Sequence, residues 1–535
     1  MKLALSSLIS EIDRFASEEL GISTLELVKR SGKAVADAVR SLAPKSSELV
    51  ILAGKGNNGG DGYAAAIELM QEYKVTVYDV FSKGQKSSAG KHFLELYKSL
   101  GGEVINYEPT EEISKHIKSA RCIVDAIFGT GFTGEMPESI RPLAITVREA
   151  VGAHKIAIDV PLGINADNGS VSDFVFSVEA TVALSYIKPG ILSYPARAYV
   201  GEIVYAPLGL PSDKIEENFE FRYNLIDEEW AADNLPEREN NSNKGTFGKL
   251  LVICGSEKYR GAAHLALEAA LRGGVGLVSF LGVESLVSEL SAKFPEVIYN
   301  KCKTTDELTD GDISQICEMS KKFGATLIGS GSDNTDGLLR LTLALLSSEG
   351  GSLILDADSI NALSTLGYEE VKRVLKNSTR PLVLTPHPLE FGRLIETDVA
   401  TVQLNRLEKA EKFAKRTGAV LVLKGASTII TDGKEVYING AGSSSLAKAG
   451  SGDVLAGLVG ALVAQNSAPN LICSALAVYI HAAAGDSLAT ELSTYGVTPS
   501  DLPREIAVRI AAIQKYAKSK VKSGKNSNYS VLSDK

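Results

Sequence analysis

Six short apolar runs between Ser47 and Pro211, ELVILAG, KVTVYDVF, RCIVDAIFG, KIAIDVP, VEATVALSYI and GEIVYAPLG, alternate with helical patterns. Runs that are apolar on both faces and separated by helices describe a parallel sheet covered on both sides. A second series follows: KLLVICG, GLVSFLG, ATLIGSG, SLILDAD, PLVLTPH, AVLVLKG and STIITDG, then the glycine-rich GAGSSSLAKAGSGD and several closing helices. The two series differ in strand count and motifs, so the chain is not an internal duplication. Between them the sequence turns polar and acidic and ends in LPERENNSNKG, a composition that suits an exposed connection. The reading is an α/β protein of two domains. The first covers residues 1–211, a linker and entry to the second covers 212–242, the second domain covers 243–517, and a polar tail over 518–535 is expected to be disordered.

A length of 535 residues lets both domains bury a substantial core. The formal net charge of -9 argues against nucleic-acid binding by phosphate neutralisation and favours a small-molecule partner. Five cysteines, Cys122, Cys254, Cys302, Cys317 and Cys473, stand singly, which fits a reducing compartment and disfavours disulfides and zinc. The start, MKLALSSLISEIDRF, reads as an amphipathic helix and not as a signal peptide. The apolar stretch around DVLAGLVGALVAQ is too short to span a bilayer. The expectation is a cytoplasmic protein with no membrane partner.

The segment GKGNNGGDGY follows the first apolar run, and its glycines satisfy the G-x-G-x-x-G dinucleotide fingerprint, with Asp79 where a ribose-binding acid is expected. A pyrophosphate on a helix N-terminus tolerates no competing anion, yet Asp61 stands at the helix entrance beside Asn57 and Asn58. Asp61 alone reads as an N-cap. VDAIFGTGFTGE adds Asp125 at a strand end, and AIDVPLGINADNG adds Asp159 at another. Ligands of open α/β sheets bind beyond the carboxyl ends of strands, so three acid-bearing loops on that rim make a site. Amide and carboxylate oxygens are hard ligands, suited to an alkali or alkaline-earth cation. Asn58 and Asp125 could hold it and leave Asp159 for proton transfer.

These three motifs resemble the NAD(P)H-hydrate epimerase domain, a Rossmann-like α/β/α unit that forms the N-terminal half of bifunctional NAD(P)H-hydrate repair enzymes. The resemblance implies that Asn57, Asn58, Gly59, Gly60 and Asp61, with Gly129, Thr130, Gly131, Phe132, Thr133, Gly134 and Glu135, contact the hydrated dinucleotide. It further implies potassium on Asn58 and Asp125 and an acid/base role for Asp159. Two positions depart from the family. Thr133 stands where a basic group has been proposed, and Leu162 replaces a serine that helps close the cation site, leaving potassium only the backbone there.

In the second domain LAKAGSGDVLAGLVGAL joins a glycine turn, Asp453 and a helix. N–H groups at such a helix start can stabilise a transferring phosphoryl group while the carboxylate takes a proton from the attacking hydroxyl. A Walker A loop is absent, since GTFGKL has leucine after the lysine. With LKGAST, TPHPLEF, DADSIN and RGAAHLALEAALRGGVGLV, this segment resembles the ADP/ATP-dependent NAD(P)H-hydrate dehydratase domain, of ribokinase-like fold. The resemblance implies an ADP site on Lys424, Gly425, Ala426, Ser427 and Thr428 and on Ser443, Lys448, Ala449, Gly450, Ser451 and Gly452. Ala263, Gly331 and His387 would contact the dinucleotide together with the two catalytic aspartates, Asp159 in one domain and Asp453 in the other. Ser330, in GSGSDN, departs from a proline typical of that family.

The implied function is repair of hydrated NADH and NADPH. The two hydrate epimers are interconverted and the S form is dehydrated at the expense of ADP (ATP being possible), with magnesium, giving AMP and phosphate. A homo-oligomer is implied as well. Two alternatives stay open: an oxidoreductase using Gly54, Gly56, Gly59 and Asp79, and a ribokinase-like small-molecule kinase fused to a non-catalytic dinucleotide-binding module.

Overall fold

A computed structural model describes residues 1–523 and 531–532. The chain divides into two compact units, one of Lys2 to Tyr223 together with the strand Val531–Leu532, which pairs antiparallel with Glu202–Ala206, and one of Met1 and residues 224–523.

In the first unit the strands β1 (Glu48–Ala53), β2 (Lys74–Asp79), β3 (Glu103–Asn106), β4 (Cys122–Ala126), β5 (His154–Ile158), β6 (Ala180–Leu184) and β7 (Glu202–Ala206) form a parallel sheet in the order β7-β6-β5-β4-β1-β2-β3. All five residues of β4 are buried, as a strand covered on both faces requires. Strand order reverses between β1 and β4, which opens a crevice at their carboxyl ends. Around it lie α1 (Ser6–Glu18), α2 (Thr24–Leu42) and α3 (Asn57–Leu69). Ser23 caps α2 by accepting from the Glu26 N–H at 3.2 Å. α3 is buried nearly all round between its neighbours.

In the second unit β8 (Tyr223–Ile226, opening at the last residue of the first unit), β9 (Lys249–Ile253), β10 (Leu277–Gly282), β11 (Ile298–Lys301), β12 (Ala325–Ile328), β13 (Ser352–Leu355), β14 (Leu382–Leu384), β15 (Val420–Leu423), β16 (Ile429–Thr431) and β17 (Val436–Asn439) run in the order β8-β17-β16-β15-β14-β13-β12-β9-β10-β11. From β9 to β15 the pairings are parallel, but β16 turns back antiparallel on β15 and β17 on β16. The helices that matter to the site are α4 (Arg260–Arg272), α5 (Pro388–Leu394), α6 (Ser451–Ala464) and α7 (Asn470–Gly496). α6 is buried on all sides beyond its first turn. α7 is long and apolar enough to cross a membrane, but 72% of that window is buried inside the fold, so it is a core helix.

Residues 212–242 are not a bare connection. They contain the helices Ser212–Asn218 and Glu228–Asn234 with β8 between them. A closing helix runs from Leu502 to Ser523, so residues 518–523 of the expected tail are helical; 524–530 and 533–535 lie outside the described residues.

Candidate functional site

The loops after β1, β4 and β5 leave three adjacent strands at one rim. Asn57 and Asn58 open α3, whose N-cap is Gly56, so Asp61 sits in the second turn and is not the cap. Its carboxyl is buried and lifted well above the ordinary aspartate range, first by burial and then by the Asp159 charge. Gly129, in the turn after β4, is where the loops meet. A Cβ placed on it would lie 3.3 Å from Asp159 Oδ2 and 3.4 Å from Asn58 Cγ. Both polar atoms of the Asn58 amide are buried without a partner, and a buried amide in that condition costs free energy unless a ligand completes it.

Asp125 is 1% exposed. Its Oδ1 accepts from the Ile127 N–H at 3.1 Å and its Oδ2 from the Leu162 N–H at 2.7 Å. Burial lifts it to about 7 against those two bonds. The Leu162 backbone thus serves Asp125 through its N–H, leaving only its carbonyl for a cation, and its side chain packs in an apolar cluster with Phe132 and Met136. Among the described residues no three His, Cys, Asp or Glu side chains gather to hold a metal, so a cation here would need amide and carbonyl oxygens beside a single carboxylate such as Asp125. The orphaned Asn58 oxygen beside buried hard donors fits such an ion. In the Gly129–Glu135 turn Phe132 is buried, whereas Thr133, Gly134 and Glu135 face solvent.

Asp159 follows β5 in the left-handed backbone region at φ 68° and is 8% exposed. Its Oδ1 is ion-paired with Lys188, whose side chain is 1% exposed. Nothing in the motifs pointed to Lys188; the signal was a lysine closing the buried run SYIK. Asp13, on α1, approaches the same pair and is held up to about 6, chiefly by burial. Asp79, the residue a ribose would need, is buried and ion-paired with Lys86 at 2.7 Å, so it is committed elsewhere.

In the second unit Gly450 takes φ 102° as the N-cap of α6, and Asp453 lies in the first turn of that helix. A Cβ on Gly450 would meet Leu265 Cδ1 at 2.7 Å, so the turn admits only glycine. Burial and the neighbouring Asp356 raise Asp453 to about 7, while Lys424 opposes them. Asp356 is 1% exposed at the end of β13. Its Oδ1 accepts from Thr385 Oγ1 at 2.6 Å and from Lys424 Nζ at 3.1 Å, and its Oδ2 from Ser330 Oγ at 2.8 Å. Ser330 therefore supplies a hydrogen bond that proline could not. Burial would lower the Lys424 ammonium, but Asp356 and Glu390 outweigh it and raise it. The same ammonium reaches Gly452, whose built Cβ would be 3.3 Å from Nζ. Lys424 thus links a buried carboxylate to the glycine turn.

The remaining expected residues spread around this centre. His387 caps α5, its Nδ1 accepting from the Leu389 N–H at 3.1 Å and the Glu390 N–H at 3.3 Å, and burial followed by the Lys424 charge pushes its imidazole below the usual histidine range. Gly331 abuts Tyr259 and Ala262, whereas Ala263 is wholly buried and offers only backbone. Lys448 donates to the Tyr495 carbonyl at 2.6 Å and also to that of Val497, so it braces the loop from beneath. Gly425 to Thr428 form the turn between β15 and β16, where the Thr428 hydroxyl donates to the Gly425 carbonyl at 2.9 Å. Ser443 shares a hydrogen bond with Ser445 at 3.0 Å. Sequence reasoning passed over His481, buried on α7 beneath Ser451 with its ring held neutral by burial.

A family model described as NAD(P)H-hydrate dehydratase matches residues 250–507, and one described as YjeF-related protein N-terminus matches residues 24–190. A bifunctional NAD(P)H-hydrate repair enzyme of Moorella thermoacetica is 32% identical over 476 residues, 86% of this chain and 88% of that protein. One from Thermofilum pendens is 32% identical over 86% of this chain and 87% of its own. Among solved structures, an ADP/ATP-dependent NAD(P)H-hydrate dehydratase from Bacillus subtilis, co-crystallised with ATP and magnesium, is similar at 28% identity and a TM-score of 0.46, covering 55% of this chain and 98% of that one.

Proposed function

The chain belongs to the bifunctional NAD(P)H-hydrate repair enzymes, being 32% identical to one of them over 86% of its own length and 88% of the relative's, and from that membership we propose how its two sites divide the chemistry. It is an NAD(P)H-hydrate epimerase joined to a nucleotide-dependent NAD(P)H-hydrate dehydratase, and it repairs hydrated NADH and NADPH.

In the second unit the nucleotide is ADP, accompanied by magnesium and held against Lys424 to Thr428 and Ser443 to Gly452. Asp453 accepts the proton of the ring hydroxyl as its oxygen attacks the β-phosphorus of ADP and AMP departs. The Gly450–Gly452 turn and the start of α6 direct N–H groups at the transferring phosphoryl oxygens. Hydroxide is a poor leaving group and phosphate a good one, so the C–O bond then breaks with loss of a ring proton and the double bond returns. A carboxyl at about 7 suits a base working near neutrality.

In the first unit Asn57 to Asp61 and the turn from Gly129 contact the hydrated ring, and Asp159 transfers protons. Potassium would be held by Asn58, Asp125 and the Leu162 carbonyl, supplying positive charge beside the substrate. The observation that carries this reading is the unpartnered, buried Asn58 amide facing Gly129 and Asp159. Its test uses the full chain carrying Asp453→Asn, in which only epimer interconversion remains. Interconversion should proceed in potassium and fall at least about tenfold in a tetraalkylammonium salt. Equal rates in both salts would remove the cation from the site.

A further inference from the structure

A buried ion pair contributes little net stability, because desolvating both charges offsets their attraction. The Lys188–Asp159 pair therefore calls for another explanation. Three carboxylates surround this one ammonium: Asp159 after β5, Asp61 on α3 and Asp13 on α1, with the Ser31 hydroxyl of α2 against Asp61. Lys188 is bonded to only one of them. It donates to Asp159 Oδ1 and to the Leu184 carbonyl at 2.9 Å, which anchors its head on the end of β6. Asp159 Oδ1 also takes the Leu184 N–H at 3.3 Å, so that oxygen is saturated from below. Oδ2 is left as the oxygen facing Gly129 and Asn58. The Asp159 backbone is in the left-handed region, which costs a non-glycine residue about 1 kcal/mol and persists only where its surroundings enforce it. The Asp159 N–H on the Val182 carbonyl at 2.8 Å and the Lys188 bond are what enforce it here.

We propose that Lys188 is a positioning residue of the epimerase reaction, one that clamps Asp159 Oδ1 so that Oδ2 is presented to the substrate. The proposal rests on the reading of Asp159 as the acid/base group. A Lys188→Met chain keeps the apolar stem and loses the clamp. Its kcat for epimer interconversion should fall at least about tenfold with KM within about threefold, because misplacing a reacting group by a fraction of an ångström acts on the transition state. Asp159→Asn should fall further. The Lys188→Met/Asp159→Asn double variant should be no slower than Asp159→Asn alone, since the lysine acts through the aspartate. Dehydration of the S epimer with ADP, measured on the same proteins, should stay at the parent rate.

Where Lys188→Met fails to fold, Lys188→Gln, which can still donate to the Leu184 carbonyl, carries the same cycle. A double variant in which the two losses multiply shows a merely structural lysine and overturns the proposal. A Lys188→Met chain of parental kcat beside an inactive Asp159→Asn overturns it alone. An Asp159→Asn chain as fast as the parent overturns the acid/base reading and the proposal with it.

Discussion

If Asp453 is the base of the dehydratase, its two charged neighbours should move the acidic limb of the pH profile in opposite directions. The Asp453 carboxyl stands at about 7, raised by burial and Asp356 and held down by Lys424. Lys424 Nζ lies against Gly452, the residue before the base. An opposite charge at such range lowers a carboxyl by about 1–3 units, and the lower figure suits an ammonium already shared with Asp356. Lys424→Met should then raise the limb by about 1 unit. With a base at about 7, roughly half is ionised at pH 7; at about 8, roughly a tenth is. The rate should therefore fall about fivefold at pH 7 from ionisation alone and recover almost fully by pH 9. Asp356→Asn removes a like charge and frees the ammonium, so its limb should move down. The assay is kcat/KM for the S hydrate at saturating ADP, which reports the ionisation of the enzyme before that substrate binds. Coincident limbs in parent and Lys424→Met, or an upward shift in Asp356→Asn, would refute Asp453 as the titrating base.

Gly129→Ala places a methyl 3.3 Å from Asp159 Oδ2, where it should lower epimerase kcat about tenfold while shifting the melting midpoint by less than about 2 °C. A variant of full activity would move the substrate away from that turn. Gly450→Ala forces alanine to φ 102° and onto Leu265 Cδ1 at 2.7 Å, and should cost about 2–4 kcal/mol in denaturant unfolding of the second unit. A loss below about 1 kcal/mol contradicts the packing described. Asp13, at about 6 in the fold against 3.8 unfolded, favours the folded state at low pH and loses that contribution as pH rises through 6. Asp13→Asn should therefore stabilise the first unit by about 3 kcal/mol at pH 8 and by little at pH 4, and an equal gain at both would contradict a buried carboxyl.

The alternating apolar runs were enough to read the α/β class, because strands buried on two faces leave a continuous signature in the chain. Four short strands left none. Glu103–Asn106 and Ile298–Lys301 lie at sheet edges with half-exposed residues, and Tyr223–Ile226 sits within a polar stretch. Val436–Asn439 returns from Ile429–Thr431 across the turn DGKE, whose D-G pair went unused. The first turns of α3 and α6 read as loops because glycine is a poor helix former, yet burial of the first turn of α3, and of α6 from Val454 onward, carries the helices through. The motif residues Asn58, Asp125 and Asp159 stood out because each joins a polar group to a strand end. Lys188 did not, since its pair with Asp159 joins residues 29 positions apart and leaves no local pattern, and Asp13, on α1, lies farther still in sequence from the pair it approaches.

The central claim is that two sites in one chain drain both hydrate epimers. The purified protein should be given a defined mixture of the R and S hydrates of NADH with ADP, and recovery of nicotinamide absorbance followed with release of phosphate and AMP. The account predicts complete consumption of both epimers by the parent and none beyond background by Asp453→Asn. Consumption that stops when the S form is exhausted would contradict it.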